Sequence, residues 1–201
     1  MNITTLELLR ALYDPARERS IKKQIAYLDP HCRHFISLSP ILVLGTCSAT
    51  MQMDTSPRGG VPGFVKVIDG HTLLIPDAPG NNRLDSLENI IATGRVGLLF
   101  LVPGVDETLR VSGTAVLSAD ASDIALCSNE KRSPKLTIKI TVAEAYLHCA
   151  KALMRSHLWS DDYRVERSVM PSMGEMTRDQ IGSDIPAESQ EEMLKRYAAD
   201  L

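Results

Sequence analysis

The stretch from 56 to 83 constrains the fold of this chain most strongly. It contains two short apolar segments, FVKVI (64–68) and TLLIP (72–76), joined by an Asp-Gly-His step. An Asp-Gly pair between apolar runs is a strong β-hairpin signal, because glycine adopts positive φ without strain. The stretch ends in Gly-Asn-Asn-Arg (80–83), which predicts entry into a helix. The sequence here therefore predicts a hairpin followed directly by a helix.

Further strands are predicted on both sides of this hairpin. Apolar runs at 41–50 and 95–102 predict buried strands, and alternating apolar and polar residues at 108–117 and 135–147 predict strands with one buried face. Residues 51–63 are rich in Gly, Pro and Ser and predict a loop. Six closely spaced strands favour a small antiparallel barrel over an open parallel sheet.

Helices are predicted between and around these strands. After the hairpin, residues 83–92 form the inserted helix, with Asn82 as its N-cap, Asp85 at the capping-box position and Gly94 at its C-terminus. The expected organisation is an N-terminal helical segment (1–39, with helices at 3–13 and 16–28 and a third that stops at Pro40) packed on the barrel. The barrel domain covers 40–159 and includes a helix at 147–158. A loop or arm (160–185) and a last helix (187–199) complete residues 160–201.

Composition excludes several classes of protein. The net charge is −3, with no basic excess for a nucleic-acid backbone, and no apolar run approaches the roughly 20 residues of a membrane span. The N-terminus lacks the features of a secretory signal. The four cysteines include no C-x-x-C pair, and no Cys/His set has the spacing of a structural metal site. We therefore expect a cytoplasmic protein with reduced thiols, no metal, and neither nucleic acid nor membrane as its partner.

Three groups of polar residues could bind a ligand. The 80–83 step could bind an anion at the helix N-terminus, assisted by Arg83, or could be an ordinary helix cap. Arg58 and Lys66 could line a groove for an anion or a ring, or could be solvated. A basic edge on the 147–158 helix, near the only tryptophan, Trp159, could bind a phosphate or a flat ring, or could be a solvated face. This edge consists of His148, Lys151 and Arg155.

Taken in order, these motifs resemble a known family. SPRG at 56–59, PDAPGNNR at 76–83 and ETLRVSG at 107–113 resemble the FMN-binding split-barrel flavoproteins related to pyridoxamine 5'-phosphate oxidase, over about residues 40–159. The resemblance implies a mainly β protein with flanking helices (α+β), built on a six-stranded antiparallel split barrel. It also implies a homodimer with FMN at the subunit interface, and hydride transfer through flavin N5 to or from a small-molecule substrate. Backbone N–H groups of 65–67 would stabilise the reduced flavin.

The resemblance also implies a set of site residues. The cofactor-binding residues are Arg58, Val65, Lys66, Val67, Pro76, Asp77, Asn82, Arg83, Glu107, Thr108 and Trp159. Separately from the resemblance, the basic helix edge His148, Lys151 and Arg155 is the expected substrate site. The family's Ser-Arg-Lys phosphate step is replaced by 81–83 and lacks one basic group, which Arg58 is expected to supply. The oxidase's C-terminal Arg-x-His pair is not recognisable, so oxidation of pyridoxamine phosphate itself is not predicted.

No side chain is assigned as a catalytic acid or base. Two other hypotheses remain open at this point. The first is a non-enzymatic protein that binds or senses a flavin or haem, with His31, His34 or His148 as axial haem ligands. The second is an interaction module with an empty barrel.

Overall fold

The computed structural model describes residues 2–78, 80–129 and 133–198, which contain seven strands. The strands are β1 (Ile41–Cys47), β2 (Met53–Gly59), β3 (Lys66–Val67), β4 (Thr72–Pro76), β5 (Arg95–Val102), β6 (Val105–Ser118) and β7 (Thr137–His148). The helices are α1 (Leu6–Arg10), α2 (Glu18–Lys22), α3 (Pro30–Leu38), α4 (Asp85–Thr93), α5 (Ala121–Cys127), α6 (Lys151–Ser156), α7 (Met173–Ile181) and α8 (Gln190–Ala198). A short 3₁₀ helix covers Arg167–Val169.

The strands form one antiparallel sheet in the order β2-β1-β5-β6-β7-β4-β3. The sheet curves back on itself, as shown by the ion pair between Arg58 of the end strand β2 and Asp77, directly after β4, with 3.6 Å between Nη1 and Oδ1. No strand pairing closes this gap among the described residues. The predicted class, a mainly antiparallel β protein of split-barrel type with flanking helices, is confirmed, although the predicted number of strands is one too low.

The additional strand is β2, in the segment predicted as a loop. All seven of its residues pair with β1, from Met53 opposite Cys47 to Gly59 opposite Ile41. The loop prediction was wrong because this strand contains Asp, Ser, Pro and Gly and lacks the alternating apolar residues by which strands are usually predicted. Instead Asp54, Ser56 and Arg58 alternate as its half-buried positions, and the residues between them are exposed.

The core of the barrel lies in cross-strand rows of apolar side chains. Leu42, Phe100 and Leu109 are directly opposite one another on β1, β5 and β6, and all three are fully buried. Burying a side chain of this size contributes roughly 1.5–3 kcal/mol. The apolar strands predicted at 41–50 and 95–102 are therefore interior strands with a partner on each side, and β2 lies at the end of the sheet beside β1.

Helix α4 begins two residues later than predicted. Leu84, at φ 60°, occupies the N-cap position, so Asn82 is not the cap. The Asp85 carboxylate accepts a hydrogen bond from Arg83 Nε at 2.8 Å and makes no capping box. The predicted C-terminus is confirmed, because Gly94 has φ 63° and its N–H donates to the Ile90 carbonyl oxygen.

The N-terminal helices are shorter than predicted. Helix α2 ends at Lys22, and Ile25 then pairs with Ala145 of β7, with N···O distances of 3.0 and 2.7 Å. The Leu28 N–H donates to the Gly70 carbonyl oxygen at 2.7 Å, at the β3–β4 turn. These bonds join the chain between α2 and α3 to the sheet.

The chain divides into two compact units, Met1–Trp159 and Ser160–Leu201. The second unit contains α7 and α8, and α7 lies within the segment predicted as a loop or arm. Its N-terminus has a capping box, in which Ser172 and Glu175 each accept a hydrogen bond from the other's backbone N–H. No helix in the described part of the chain is long and apolar enough to cross a membrane.

Candidate functional site

The candidate site lies where the barrel is not closed by strand pairing. The segment that joins β4 to α4 begins with Asp77, beside Arg58, and ends near Ser86, whose hydroxyl donates to Asp54 Oδ2 at 2.6 Å. The start of this segment therefore lies beside Arg58, and the helix that follows it contacts Asp54, on the same strand β2. We call this region the barrel opening and define it by Asp54, Ser56, Arg58, Asp77 and Arg83.

Arg58 is the best-shielded cation of the barrel opening. Its side chain is only 19% exposed, and its partner Asp77 is 3.6 Å away. Its Nε is buried and has no hydrogen-bond partner among the described residues. A buried donor without a partner is unfavourable by roughly 1–3 kcal/mol. Arg58 therefore suits an anionic group of a ligand, such as a phosphate, that would accept this hydrogen bond.

Asp77 faces Arg58 from the end of β4. Its backbone N–H donates to the Leu136 carbonyl oxygen at 3.0 Å, which holds the residue against the start of β7. Burial raises the pKa of its carboxyl group, although the positive charges of Arg58 and Lys135 act in the opposite direction. Pro76, the preceding residue, pairs with Thr137 in the β4–β7 ladder.

Arg83 is a more exposed cation at the other end of the barrel opening. Its side chain is 71% exposed, and the pKa of its guanidinium is raised mainly by the hydrogen bond to Asp85, with a smaller contribution from the charge of Asp54. Asn82 before it has φ 58°, and the Arg83 N–H donates to Asn81 Oδ1 at 3.1 Å. Two carboxylates therefore offset the charge of Arg83, and Arg58 is the stronger candidate for a phosphate ligand.

The hairpin strand β3 contributes backbone groups. Val65 is buried, and Lys66 Nζ donates to the Gly63 carbonyl oxygen at 2.9 Å. The Ile68 N–H donates to Thr72 in β4, and N–H directions alternate along an antiparallel strand. The Val67 N–H therefore points away from β4, towards the free edge of the sheet, whereas that of Lys66 points towards Leu74.

The other predicted site residues form a separate group at the start of β6. Thr108 is buried and lies opposite His148 in the β6–β7 ladder, and Glu107 beside it is exposed. Trp159 is half-buried, and its Nε1 donates to the Val105 carbonyl oxygen at 3.0 Å. The predicted substrate residues His148, Lys151 and Arg155 are all exposed.

Within one chain the two groups lie on opposite faces of the sheet. Arg58 is in the same cross-strand row as Leu42, Phe100 and Leu109, so these side chains share one face. Thr108 precedes Leu109 and therefore points to the other face. Three strand spacings of roughly 4.8 Å place the two backbones about 14 Å apart. One chain therefore does not bring the two predicted groups onto the same ligand.

Several neighbours of these residues were not predicted from the sequence. The charge of Asp54 acts on Arg83, and the charge of Lys135 acts on Asp77. Lys23 and Arg110 lie over the Tyr146 ring at 5.4 and 5.2 Å. For Asp54, the alternation of polar residues at 54, 56 and 58 was a sequence signal that could have indicated its position. The contacts of Tyr146 and Lys135 depend on tertiary structure and leave no local signal.

The two α3 histidines that were considered as haem ligands do not point into a shared buried site. His31 and His34 are both exposed on that helix. The described residues contain no group of three or more His, Cys, Asp or Glu side chains that could hold a metal ion.

Comparison with known proteins identifies the family. The family model described as pyridoxamine 5'-phosphate oxidase matches residues 28–149, more than half of the chain. The chain belongs to this family. The match covers β1 to β7 and therefore the whole barrel opening of this family member. The predicted resemblance is confirmed.

Two solved structures agree with the fold. Two crystal structures of tagged HupZ from Group A Streptococcus, one of them a single-residue variant, align with TM-scores of 0.50 and 0.51 at 15% identity. They cover 59% and 60% of this chain, and 92% and 99% of their own chains. An FMN-binding protein from Syntrophomonas wolfei aligns at 12% identity with a TM-score of 0.44, covering 72% of this chain and 97% of that one. A search of curated proteins finds no match.

Proposed function

We propose that this protein binds FMN as a homodimer and is an oxidoreductase that transfers hydride through flavin N5 to or from a small substrate. The observation that supports FMN binding most directly is Arg58, a shielded cation with an unpaired Nε at the opening of a barrel in this family. The flavin would supply the hydride-accepting atom, and the protein would supply position and charge.

Residues of the barrel opening would hold the cofactor. Arg58 would bind the phosphate with its buried donors, and Arg83 would add a second, solvated cation. The Val67 N–H, directed to the free edge of β3, would donate to the ring system of the flavin and so favour its reduced, anionic form.

The separation of the two predicted groups supports the dimer. Thr108, His148 and Trp159 could contact the same FMN as Arg58 if they came from a second copy of the chain. The outer face of β1 and β5 suits such a contact, because its apolar side chains are only partly covered. These side chains are Ile41, Val43, Leu99 and Leu101. Farther along the same two strands, Gly45 and Gly97 lie directly opposite each other and line a depression of ≈ 320 Å³.

An absorption spectrum of the purified protein, before and after incubation with FMN, tests the cofactor. We expect flavin bands that remain after gel filtration and an eluted mass of about twice the chain's 22.1 kDa. A colourless protein that cannot be loaded with FMN would exclude the proposal. Steady oxidation of a nicotinamide donor by the loaded protein would distinguish an enzyme from a flavin-binding protein without turnover.

A matched pair of variants tests the dimer. Leu99→Glu adds a charge to the proposed interface, whereas Val116→Glu adds one at a site on β6 that is 60% exposed. We expect the first to yield a monomer with weakened FMN binding and the second to remain dimeric. Full FMN affinity in a monomeric Leu99→Glu protein would contradict a site shared between two chains.

A further inference from the structure

We infer that Asp77 is the counter-ion that a bound phosphate replaces at Arg58, so that phosphate binding is accompanied by proton uptake at Asp77. This inference rests on the proposed function and adds a role for Asp77 in the same site. Its basis is the geometry of the Arg58–Asp77 pair, in which both side chains are only 19% exposed and are 3.6 Å apart.

A phosphate and the Asp77 carboxylate would repel each other if both contacted the Arg58 guanidinium. The charged groups that act on the Asp77 carboxyl are Arg58 of β2 and Lys135, just before β7. A phosphate at Arg58 Nε would lie within about 6 Å of the Asp77 carboxylate, since both anions would contact the same planar group. Like charges at such a separation, shielded from water, disfavour the ionised carboxylate.

Asp77 cannot relieve this repulsion by moving its backbone. Its N–H is bonded to the Leu136 carbonyl oxygen at 3.0 Å, and Pro76 before it is paired with Thr137 in the ladder. The carboxylate must therefore rotate away within a partly buried region or accept a proton from solvent. Protonation also leaves the carboxyl group able to donate a hydrogen bond to a phosphate oxygen.

The size of the effect follows from Coulomb's law. Two single charges about 6 Å apart, with an effective dielectric constant between about 80 and about 20, correspond to a change in affinity of about 3- to 100-fold. We expect Asp77→Asn to bind FMN more tightly than wild type by a factor in this range at pH 8. The difference should shrink as the pH is lowered, because the wild-type carboxyl group then becomes neutral without cost.

Isothermal titration calorimetry of the full-length protein with FMN tests the inference. Titrations at one pH in two buffers of different ionisation enthalpy give the number of protons taken up. The phosphate of FMN also titrates near neutral pH and is coupled to Asp77, so the difference between wild type and Asp77→Asn gives the proton uptake that depends on the Asp77 carboxylate. The titrations are therefore made at pH 8, where the free phosphate is mostly dianionic. We expect greater proton uptake by wild type. Asp77→Ser is a second variant in case the first does not fold.

Two controls make the result specific. Asp123→Asn changes another shielded aspartate that is paired with a cation, Lys139, and should leave FMN affinity and proton uptake unchanged. Riboflavin, which lacks the phosphate, should bind wild type and Asp77→Asn equally.

Equal proton uptake in wild type and Asp77→Asn, or weaker FMN binding by Asp77→Asn, would overturn the inference and leave the proposed function intact. Absence of FMN binding by the wild-type protein would overturn the proposed function and this inference with it.

Discussion

Replacing Arg58 with alanine tests the proposed phosphate contact most directly. The Arg58 side chain is only 19% exposed, so water screens its charge weakly, and its Nε has no partner among the described residues. Hydrogen bonds to charged groups contribute roughly 1.5–3 kcal/mol, which corresponds to about a 10- to 150-fold change in Kd. Asp77 offsets part of the charge. We therefore expect Arg58→Ala to weaken FMN binding by about 10- to 40-fold.

Quenching of flavin fluorescence during titration measures this loss. Riboflavin should bind wild type and Arg58→Ala with the same affinity, because it has no phosphate. Lys139→Ala is the matched control, since Lys139 is also paired with an aspartate, Asp123, with an N···O distance of 3.1 Å. Because Lys139 is paired, this control should lower stability while retaining FMN affinity.

Three results would decide the assignment. Unchanged FMN affinity in Arg58→Ala, or an equal loss for riboflavin, would refute the phosphate contact. Arg83→Ala should weaken FMN binding less than Arg58→Ala but more than Lys139→Ala, because Arg83 is exposed and already paired with Asp85. If Arg58→Ala does not fold, Arg58→Lys keeps the charge and loses the forked donor, and an intermediate affinity is expected.

Two further predictions concern the barrel itself. A Cβ at Gly113 would lie 2.1 Å from the Thr141 carbonyl oxygen, so Gly113→Ala should destabilise the protein by about 3 kcal/mol and lower Tm by about 6–12 °C in scanning calorimetry. An unchanged Tm would contradict this close approach of β6 and β7. Burial raises the pKa of the Cys32 thiol to about 12, so a thiol reagent at pH 8 should label exposed Cys149 and spare Cys32 until the protein unfolds. Mass spectrometry of the labelled peptides measures this, and rapid labelling of native Cys32 would disprove its burial.

The strands that could be predicted exactly are those with continuous apolar sequence. Both β4, at 72–76, and β5, at 95–102, have the predicted bounds, because every core-facing position needed an apolar residue. The N-terminal helices were predicted too long, since Ile25 pairs with Ala145 in the sheet and this contact is invisible locally. Helix α7 did have a local sequence signal, the Ser172–Glu175 capping box. The segment was nevertheless predicted as a loop, because it lacks apolar periodicity.

The arrangement of the predicted site residues could not be derived from the sequence. Arg58 and Asp77 were both predicted to bind the cofactor, yet their mutual ion pair depends on how the two ends of the sheet meet. Thr108 was predicted to bind the same cofactor, and within one chain the register places it on the opposite face of the sheet. Whether side chains of distant strands share a face is fixed by register and closure, which single-sequence patterns do not contain.

The failure to predict β2 has a physical cause that bears on function. An end strand has one partner, so its backbone can pair without the apolar residues that a central strand requires, and Asp54, Ser56 and Arg58 occupy its half-buried positions. Polar residues at these positions lose the stabilisation that buried apolar side chains would provide, and Arg58 Nε has no hydrogen-bond partner among the described residues. Proteins depart from the local rules of folding mainly where a site requires it. The strand that contradicts the pattern is therefore the one on which a ligand contact is best justified, and Arg58 is where that contact should be tested first.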